Sequence, residues 1–83
     1  MISVSLIEDN LLSRLIIEKM FENSDSFRLN GSYSSAEEAL PNLLLHQPDV
    51  AIIDIDLPKM SGISLIEKIS LQMPRTQFLV YFL

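Results

Sequence analysis

Carboxylate side chains follow two strand-like segments of this sequence, and they are the residues most able to do chemistry. Glu8 and Asp9 come directly after the alternating run that opens the chain. Asp54 and Asp56 lie at the end of a continuous apolar run further along. Ligands of open parallel sheets bind beyond the carboxyl ends of the strands, where the strand order reverses. If the two strands are neighbours, we expect these carboxylates to converge on one patch.

Converging carboxylates need a cation, because buried anions that lie close together repel each other. Mg²⁺ is the cation such a patch suits: it binds through one or two carboxylates, keeps several waters and leaves a position for a phosphate oxygen. An aspartate beside the metal can then attack phosphorus, since the metal neutralises charge on the transferring group. Acids at strand ends are often only solvated loop residues. The joint pattern, rather than any single acid, therefore predicts a metal site with Asp9 and Asp54 and favours Asp54 as a phosphoryl acceptor.

The first half of the chain alternates strand-like and helix-like patterns. The alternation over Ile2–Ile7 predicts a strand, and the helical spacing over Asn10–Asn23 predicts a helix capped by Asn10. Phe27–Tyr33 has the pattern of a half-buried strand at a sheet edge. A capping box opens a second helix at Ser35 that runs to about His46. Pro41 lies inside this helix, where we expect a kink or a late helix start.

The second half continues the alternation. Val50–Ile55 is typical of a strand covered on both faces, and the loop Leu57–Gly62 leads into a helix over Ile63 to about Met73. Phe78–Leu83 predicts a fourth strand, again of the fully buried kind. The order βαβαβαβ with short connections predicts an α/β fold, a parallel sheet with helices on both faces.

Length, charge and composition exclude several function classes. The 83 residues form at most one small domain, and 48% of them are apolar, as in a globular core. The net charge is −5 and the six basic residues are scattered, so we expect no direct contact with nucleic acid. No apolar run is long enough to span a membrane, and no signal peptide is evident. The absence of cysteine fits a reducing cytoplasm.

Two motifs resemble the receiver domain of two-component response regulators. One is Glu8-Asp9-Asn10 after the first strand, and the other is the segment Asp-Ile-Asp-Leu-Pro-Lys-Met-Ser-Gly that spans residues 54–62. The segments 35–40 and 47–50 are also similar to receivers that precede a helix-turn-helix output domain. The resemblance implies a flavodoxin-like fold with strand order 2-1-3-4 over this chain. It also implies that the chain is the N-terminal part of a transcriptional response regulator.

The resemblance assigns a role to each acid of the site. It implies that Asp54 accepts a phosphoryl group from a sensor histidine kinase and that Asp9 ligates Mg²⁺ directly together with Asp54. Asp56 would contribute its backbone carbonyl, and Glu8 would assist through a water molecule. Gly62, with the proline at position 58, would shape the loop that leads into the third helix.

The sequence departs from the family pattern in its C-terminal part. Residues 1–83 are expected to form a partial receiver that lacks helix 4, strand 5 with its phosphate-pairing lysine, and helix 5. The serine or threonine that normally ends the fourth strand is replaced by Phe82, which has no hydroxyl. With nothing to cover the fourth strand, we expect an exposed edge and self-association through that strand.

Three functions follow from these observations. The first is a signalling module, not an enzyme, that accepts a phosphoryl group. The second is a degenerate or truncated receiver that acts as a phosphorylation-independent interaction module, which Phe82 and the missing lysine favour. The third is an aspartate-dependent phosphatase, because Asp54-x-Asp56 resembles the acid pair of such enzymes. In those enzymes the motif follows the first strand, whereas here it follows the third.

Overall fold

Four parallel strands form one sheet in the computed structural model, which describes residues 1–82. The strands are β1 (Ile2–Ile7), β2 (Phe27–Tyr33), β3 (Val50–Asp54) and β4 (Gln77–Tyr81). Their order is β2-β1-β3-β4, which confirms the predicted 2-1-3-4 arrangement. The predicted end of the fourth strand, Leu83, lies outside the described residues.

Three helices connect the strands: α1 (Leu11–Glu22), α2 (Ala36–His46) and α3 (Gly62–Ile69). Each begins after a residue whose side chain accepts a hydrogen bond from a backbone N–H of the first turn. The third helix is shorter than predicted, because the chain tightens into a 3₁₀ turn over Ser70–Gln72. Within residues 1–82, no helix has the length and apolar character needed to cross a bilayer.

Pro41 does not delay the start of α2. The helix begins at Ala36 and includes Pro41 in its interior, so the expectation of a late start was wrong. The pyrrolidine ring faces solvent, since Pro41 is exposed. The carbonyl that loses its partner belongs to the exposed Glu37, four residues earlier, where water can replace the missing hydrogen bond.

The main core lies on one face of the sheet, beneath α2 and α3. Crossovers between parallel strands are right-handed, and the step from β1 to β2 runs opposite to the later steps, so α1 covers the other face. The buried apolar side chains of the main core come from β1, α2, β3, α3 and the segments beside them: Ile7, Ala36, Ala39, Leu43, Ala51, Ile53, Leu57, Leu65, Ile69 and Met73. On the opposite face Val4 and Leu6 are buried, although no residue of α1 is.

β4 forms the outer edge of the sheet next to β3, and within the described residues no strand pairs with its other side. Leu79 is 56% exposed and Phe82, just beyond the strand, is 74% exposed. The prediction of a fourth strand buried on both faces was therefore wrong, whereas the expected exposed edge is present within residues 1–82. The apolar residues of β4 follow the pattern of a strand with neighbours on both sides. Within residues 1–82, however, β3 is the only strand that pairs with β4.

Candidate metal centre

The register between β1 and β3 brings the two acidic segments together. Ile7 pairs with Ile53, so Glu8, the next residue of the chain, lies beside Asp54. Both strands are parallel and end at the same edge of the sheet. The alternation of apolar residues determines which face of each strand is buried and therefore the register between the strands. The register in turn determines where the acidic residues that follow the strands lie.

Three carboxylates form a tight group at this edge. Glu8, Asp9 and Asp54 each offer one oxygen, and these oxygens lie within 4.8 Å of one another. Glu8 is 1% exposed and Asp54 is 8% exposed, whereas Asp9 lies in solvent. The group borders a cavity of about 270 Å³ lined by Glu8, Asp9, Asn10, Ser13, Asp54 and Asp56. The site is therefore open to solvent on the Asp9 side and closed at its base.

Glu8 is held at both oxygens. The backbone N–H of Asn10 donates to Oε2 at 2.9 Å, and the hydroxyl of Tyr81 donates to Oε1. The backbone carbonyl of Glu8 accepts from Nη1 of Arg14 at 3.3 Å, and its N–H donates to the carbonyl of Tyr33 at 2.9 Å. A buried carboxylate with this many partners has one defined orientation.

The surroundings of Glu8 and Asp54 shift the pKa values of these two buried acids in opposite directions. Burial raises the pKa of Asp54, and the negative charges of Glu8 and Asp9 raise it further, against one hydrogen bond from the Asp56 N–H to Oδ1 at 3.0 Å. Burial also raises the pKa of Glu8, but hydrogen bonds from Tyr81 and the Asn10 N–H outweigh burial and leave this pKa below its usual value. Glu8 therefore ionises first, and its charge discourages ionisation of Asp54.

The donor set fits a hard divalent cation. All three side chains offer carboxylate oxygens, the ligands that Mg²⁺ and Ca²⁺ prefer, and neither sulfur nor imidazole is among the residues that line the cavity. Their mutual repulsion is the physical problem that such a cation relieves. A cation in this cavity would lie beside the carboxylates of Asp9 and Asp54, while the Glu8 carboxylate is held by its own hydrogen bonds.

The structure brings together the acids singled out in the sequence. Glu8, Asp9 and Asp54 meet, and the exposed Asp56 lines the same cavity. The direct role of the Asp56 carbonyl and the water-mediated role of Glu8 stay predictions. Tyr81 was not predicted from the sequence as a residue of the site. Its sequence signal was a hydroxyl-bearing side chain near the end of a strand-like apolar run, whereas its register with Asp54 is set by the fold.

Comparison with known proteins identifies the family. The model of the response regulator receiver domain matches residues 4–81. A protein-glutamate methylesterase/protein-glutamine glutaminase of Nitratidesulfovibrio vulgaris is 32% identical over 80 residues, which cover 96% of this chain and 22% of that protein. The chain thus spans about a fifth of the length of the curated relatives it matches.

Solved receiver structures share the fold. The response regulator domain of Thermotoga maritima CheB superimposes with a TM-score of 0.89 at 22% identity, covering 98% of this chain and 60% of that chain. The signal receiver domain of the putative response regulator NarL from Mycobacterium tuberculosis superimposes with a TM-score of 0.88 at 27% identity, covering 98% and 65%. With four parallel strands in the order 2-1-3-4 and a family match over residues 4–81, the chain belongs to the response regulator receiver domains.

Proposed function

We propose that Asp54 accepts a phosphoryl group from the phosphohistidine of a sensor kinase, with Mg²⁺ held by Asp9 and Asp54. The observation that carries this proposal is the convergence of the Glu8, Asp9 and Asp54 oxygens within 4.8 Å of one another. Oδ1 of Asp54 accepts from the Asp56 N–H, which leaves Oδ2 for the nucleophilic role. When bound, Mg²⁺ would neutralise charge on the transferring group.

The proposed step is an in-line displacement at phosphorus. Oδ2 of Asp54 forms the new P–O bond as the P–N bond to the donor imidazole breaks, and the leaving nitrogen takes up a proton from solvent. The product is an acyl phosphate on Asp54 and a neutral histidine. The buried Glu8 stays ionised beside the site, since its hydrogen bonds hold its pKa below the usual value. The Asp56 N–H keeps Asp54 oriented during the transfer.

Labelling with acetyl phosphate and Mg²⁺ tests this proposal. Intact-protein mass spectrometry should show the gain of one phosphoryl group, which hydroxylamine removes because it cleaves acyl phosphates. Asp54→Asn should abolish the gain. Asp25→Asn is the matched control, since it removes an exposed carboxylate from the connection between α1 and β2. Labelling that persists in Asp54→Asn would show that another residue is the acceptor.

Two other functions have their own signatures in the same experiment. A phosphorylation-independent interaction module would give no label, and the exposed Phe82, which stands where the family has a hydroxyl, favours this second candidate. An aspartate-dependent phosphatase would release inorganic phosphate continuously while little label accumulates. The acyl phosphate, its absence and turnover are thus three separable outcomes.

The wider role is proposed from the same site. We propose that a histidine kinase is the phosphodonor and that the chain works in the cytoplasm as the receiver part of a transcriptional regulator. The LuxR-family regulators among the structural neighbours support a transcriptional role, whereas the sequence relatives are methylesterases. The scattered basic residues of this segment argue against its own contact with DNA. The coding sequence that follows residue 83 would distinguish the two outputs.

A further inference from the structure

Tyr81 reaches across the sheet to the acidic group. It lies at the end of β4 and is in register with Asp54 of β3, yet its hydroxyl donates to Oε1 of Glu8, the residue that follows β1. β3 lies between β1 and β4, so the two ends are two strand spacings apart, about 10 Å. The phenol side chain therefore extends over the end of β3 and joins the outermost strand to the metal centre.

The hydroxyl satisfies one oxygen of an almost fully buried carboxylate. Glu8 is 1% exposed, and its other oxygen is already bonded to the Asn10 N–H. Loss of one partner of a buried carboxylate leaves that oxygen unsatisfied, at a cost of about 1–3 kcal/mol or more for a charged group. Without the Tyr81 hydroxyl, the Glu8 carboxylate would rotate away from its present position. The orientation of Glu8 thus depends on Tyr81, a residue of β4, which is two strands away from β1 in the sheet.

We propose that Tyr81 is a positioning residue for Mg²⁺ binding, acting through the carboxylate of Glu8. This inference rests on the proposed metal site and adds a residue to it. The Tyr81 hydroxyl and the Asn10 N–H hold the carboxylate of Glu8 in its position beside Asp9 and Asp54. Partners of this kind around metal-binding carboxylates typically change metal affinity by about 10–100-fold when they are removed.

The test compares Mg²⁺ affinities of matched tyrosine variants of the whole chain. Tyr81→Phe keeps the ring and removes the hydroxyl, and Tyr33→Phe does the same to the second tyrosine, whose contact with Glu8 is made by the backbone carbonyl. Amide NMR shifts of Asp9 and Asp54 followed during Mg²⁺ titration give the Kd. Tyr81→Phe should weaken binding by about 10-fold, and Tyr33→Phe should leave it unchanged.

Two further readouts separate positioning from a merely structural role. In a Glu8→Ala background, Tyr81→Phe should cause no additional loss of Mg²⁺ affinity, because the residue through which it acts is gone. The chain has two tyrosines and no tryptophan, so Tyr81 is the only tyrosine in the Tyr33→Phe protein. Its near-ultraviolet absorbance should change as Mg²⁺ binds, since its hydrogen-bond partner then shares its charge with the cation.

The outcomes keep this inference distinct from the metal site itself. If the parent protein shows no Mg²⁺-dependent shifts, the proposed metal site is wrong. If the parent binds Mg²⁺ and Tyr81→Phe binds it equally well, the site stands and the role of Tyr81 is overturned. If Tyr81→Phe does not fold, the absorbance of Tyr81 in the Tyr33→Phe protein is the test. An absorbance that does not change at saturating Mg²⁺ overturns the inference.

Discussion

At the scale of single residues, the crowding of the Glu8, Asp9 and Asp54 carboxylates destabilises the folded protein when they are ionised. Burial and the charges of Glu8 and Asp9 raise the pKa of Asp54, which means that ionised Asp54 disfavours the folded state. An acid whose pKa is raised by folding carries this penalty at pH values above its folded pKa, and the penalty disappears as the pH falls toward 3.8, the ordinary value. Perturbed pKa values of this kind cluster at functional sites.

Asp54→Asn should therefore raise the melting temperature at pH 7 in the absence of Mg²⁺. The amide keeps the shape and an acceptor for the Asp56 N–H while removing one of three crowded charges. The same variant should lose most of the gain in melting temperature that millimolar Mg²⁺ gives the parent. Thermal melts by circular dichroism measure both effects, with Asp25→Asn as the control. A variant that melts below the parent in both conditions would contradict this reading of the site.

At the other end of the sheet, the pKa of Asp49 is shifted in the opposite direction to that of Asp54. The Ser3 N–H and hydroxyl donate to its Oδ2 at 2.8 and 3.1 Å, and they lower its pKa. A lowered pKa stabilises the fold above the ordinary value of 3.8, and this contribution is lost as the pH falls through the folded pKa.

Asp49→Asn should accordingly lower the melting temperature at pH 7 and flatten its decline below about pH 4. Asn at this position can still accept from the Ser3 N–H, but it has no charge to titrate. Melting curves from pH 7 to 3 on both proteins compare the slopes. Parallel curves would show that the link between the starts of β1 and β3 contributes nothing that depends on ionisation.

At the scale of elements, α3 lies very close to the end of β3. A Cβ atom built on Gly62, the first residue of α3, would lie 2.6 Å from the backbone oxygen of Asp54 and 2.8 Å from Cγ2 of Ile53. Neither neighbour can move freely, since one is backbone and the other belongs to the core. The glycine is required by this close approach and not by its backbone angles, which are not in the left-handed region.

Gly62→Ala should destabilise the domain by about 1–3 kcal/mol, the usual range for overpacking. It should also weaken Mg²⁺ binding, because α3 or the Asp54 backbone must shift. Glu67→Ala, an exposed substitution in the same helix, should leave both properties close to those of the parent. Urea unfolding with and without Mg²⁺ gives the two quantities. An unchanged free energy of unfolding in Gly62→Ala would show that the contact is easily relaxed.

At the scale of the whole molecule, the accessible surface area is ordinary, but large apolar side chains are exposed on it. The accessible area of 5265 Å² is close to the about 5,000 Å² expected for a folded chain of 9.4 kDa. However, α1 has no buried residue, and large apolar side chains remain in solvent on α1 and beside β4, among them Leu12, Ile16, Met20, Leu79 and Phe82. Exposed apolar surface next to an unpaired strand edge favours association.

We expect the isolated chain to self-associate through β4. A second copy can pair with its free edge and cover Leu79, so Leu79→Lys should lower the association constant by at least 10-fold. Leu45→Lys is the matched control, because Leu45 is also exposed but lies on α2, away from this edge. Light scattering across a concentration series measures the effect. A parent that stays monomeric at high micromolar concentration would contradict the expectation, as would equal association of the two variants.

The sequence by itself determined the order of the elements and predicted a parallel sheet, because both follow from patterns in consecutive residues. The strand order 2-1-3-4, which makes β1 and β3 neighbours and lets Glu8, Asp9 and Asp54 meet, was implied by the resemblance to receiver domains. The tertiary structure alone decided the remaining features. The hydrogen bond between Tyr81 and Glu8 joins residues 73 positions apart and exists only once β3 sets the register of β4.

The burial of β4 was mispredicted for the same reason. An apolar pattern indicates what a strand can bury, whereas the neighbouring elements decide what is buried, and within residues 1–82 no strand pairs with the outer edge of β4. Pro41 remains inside α2 because its ring points to solvent, a direction set by how α2 packs on the sheet. Local spacing therefore specifies the elements and the residues at their ends, and only packing specifies which side chains reach one another across them.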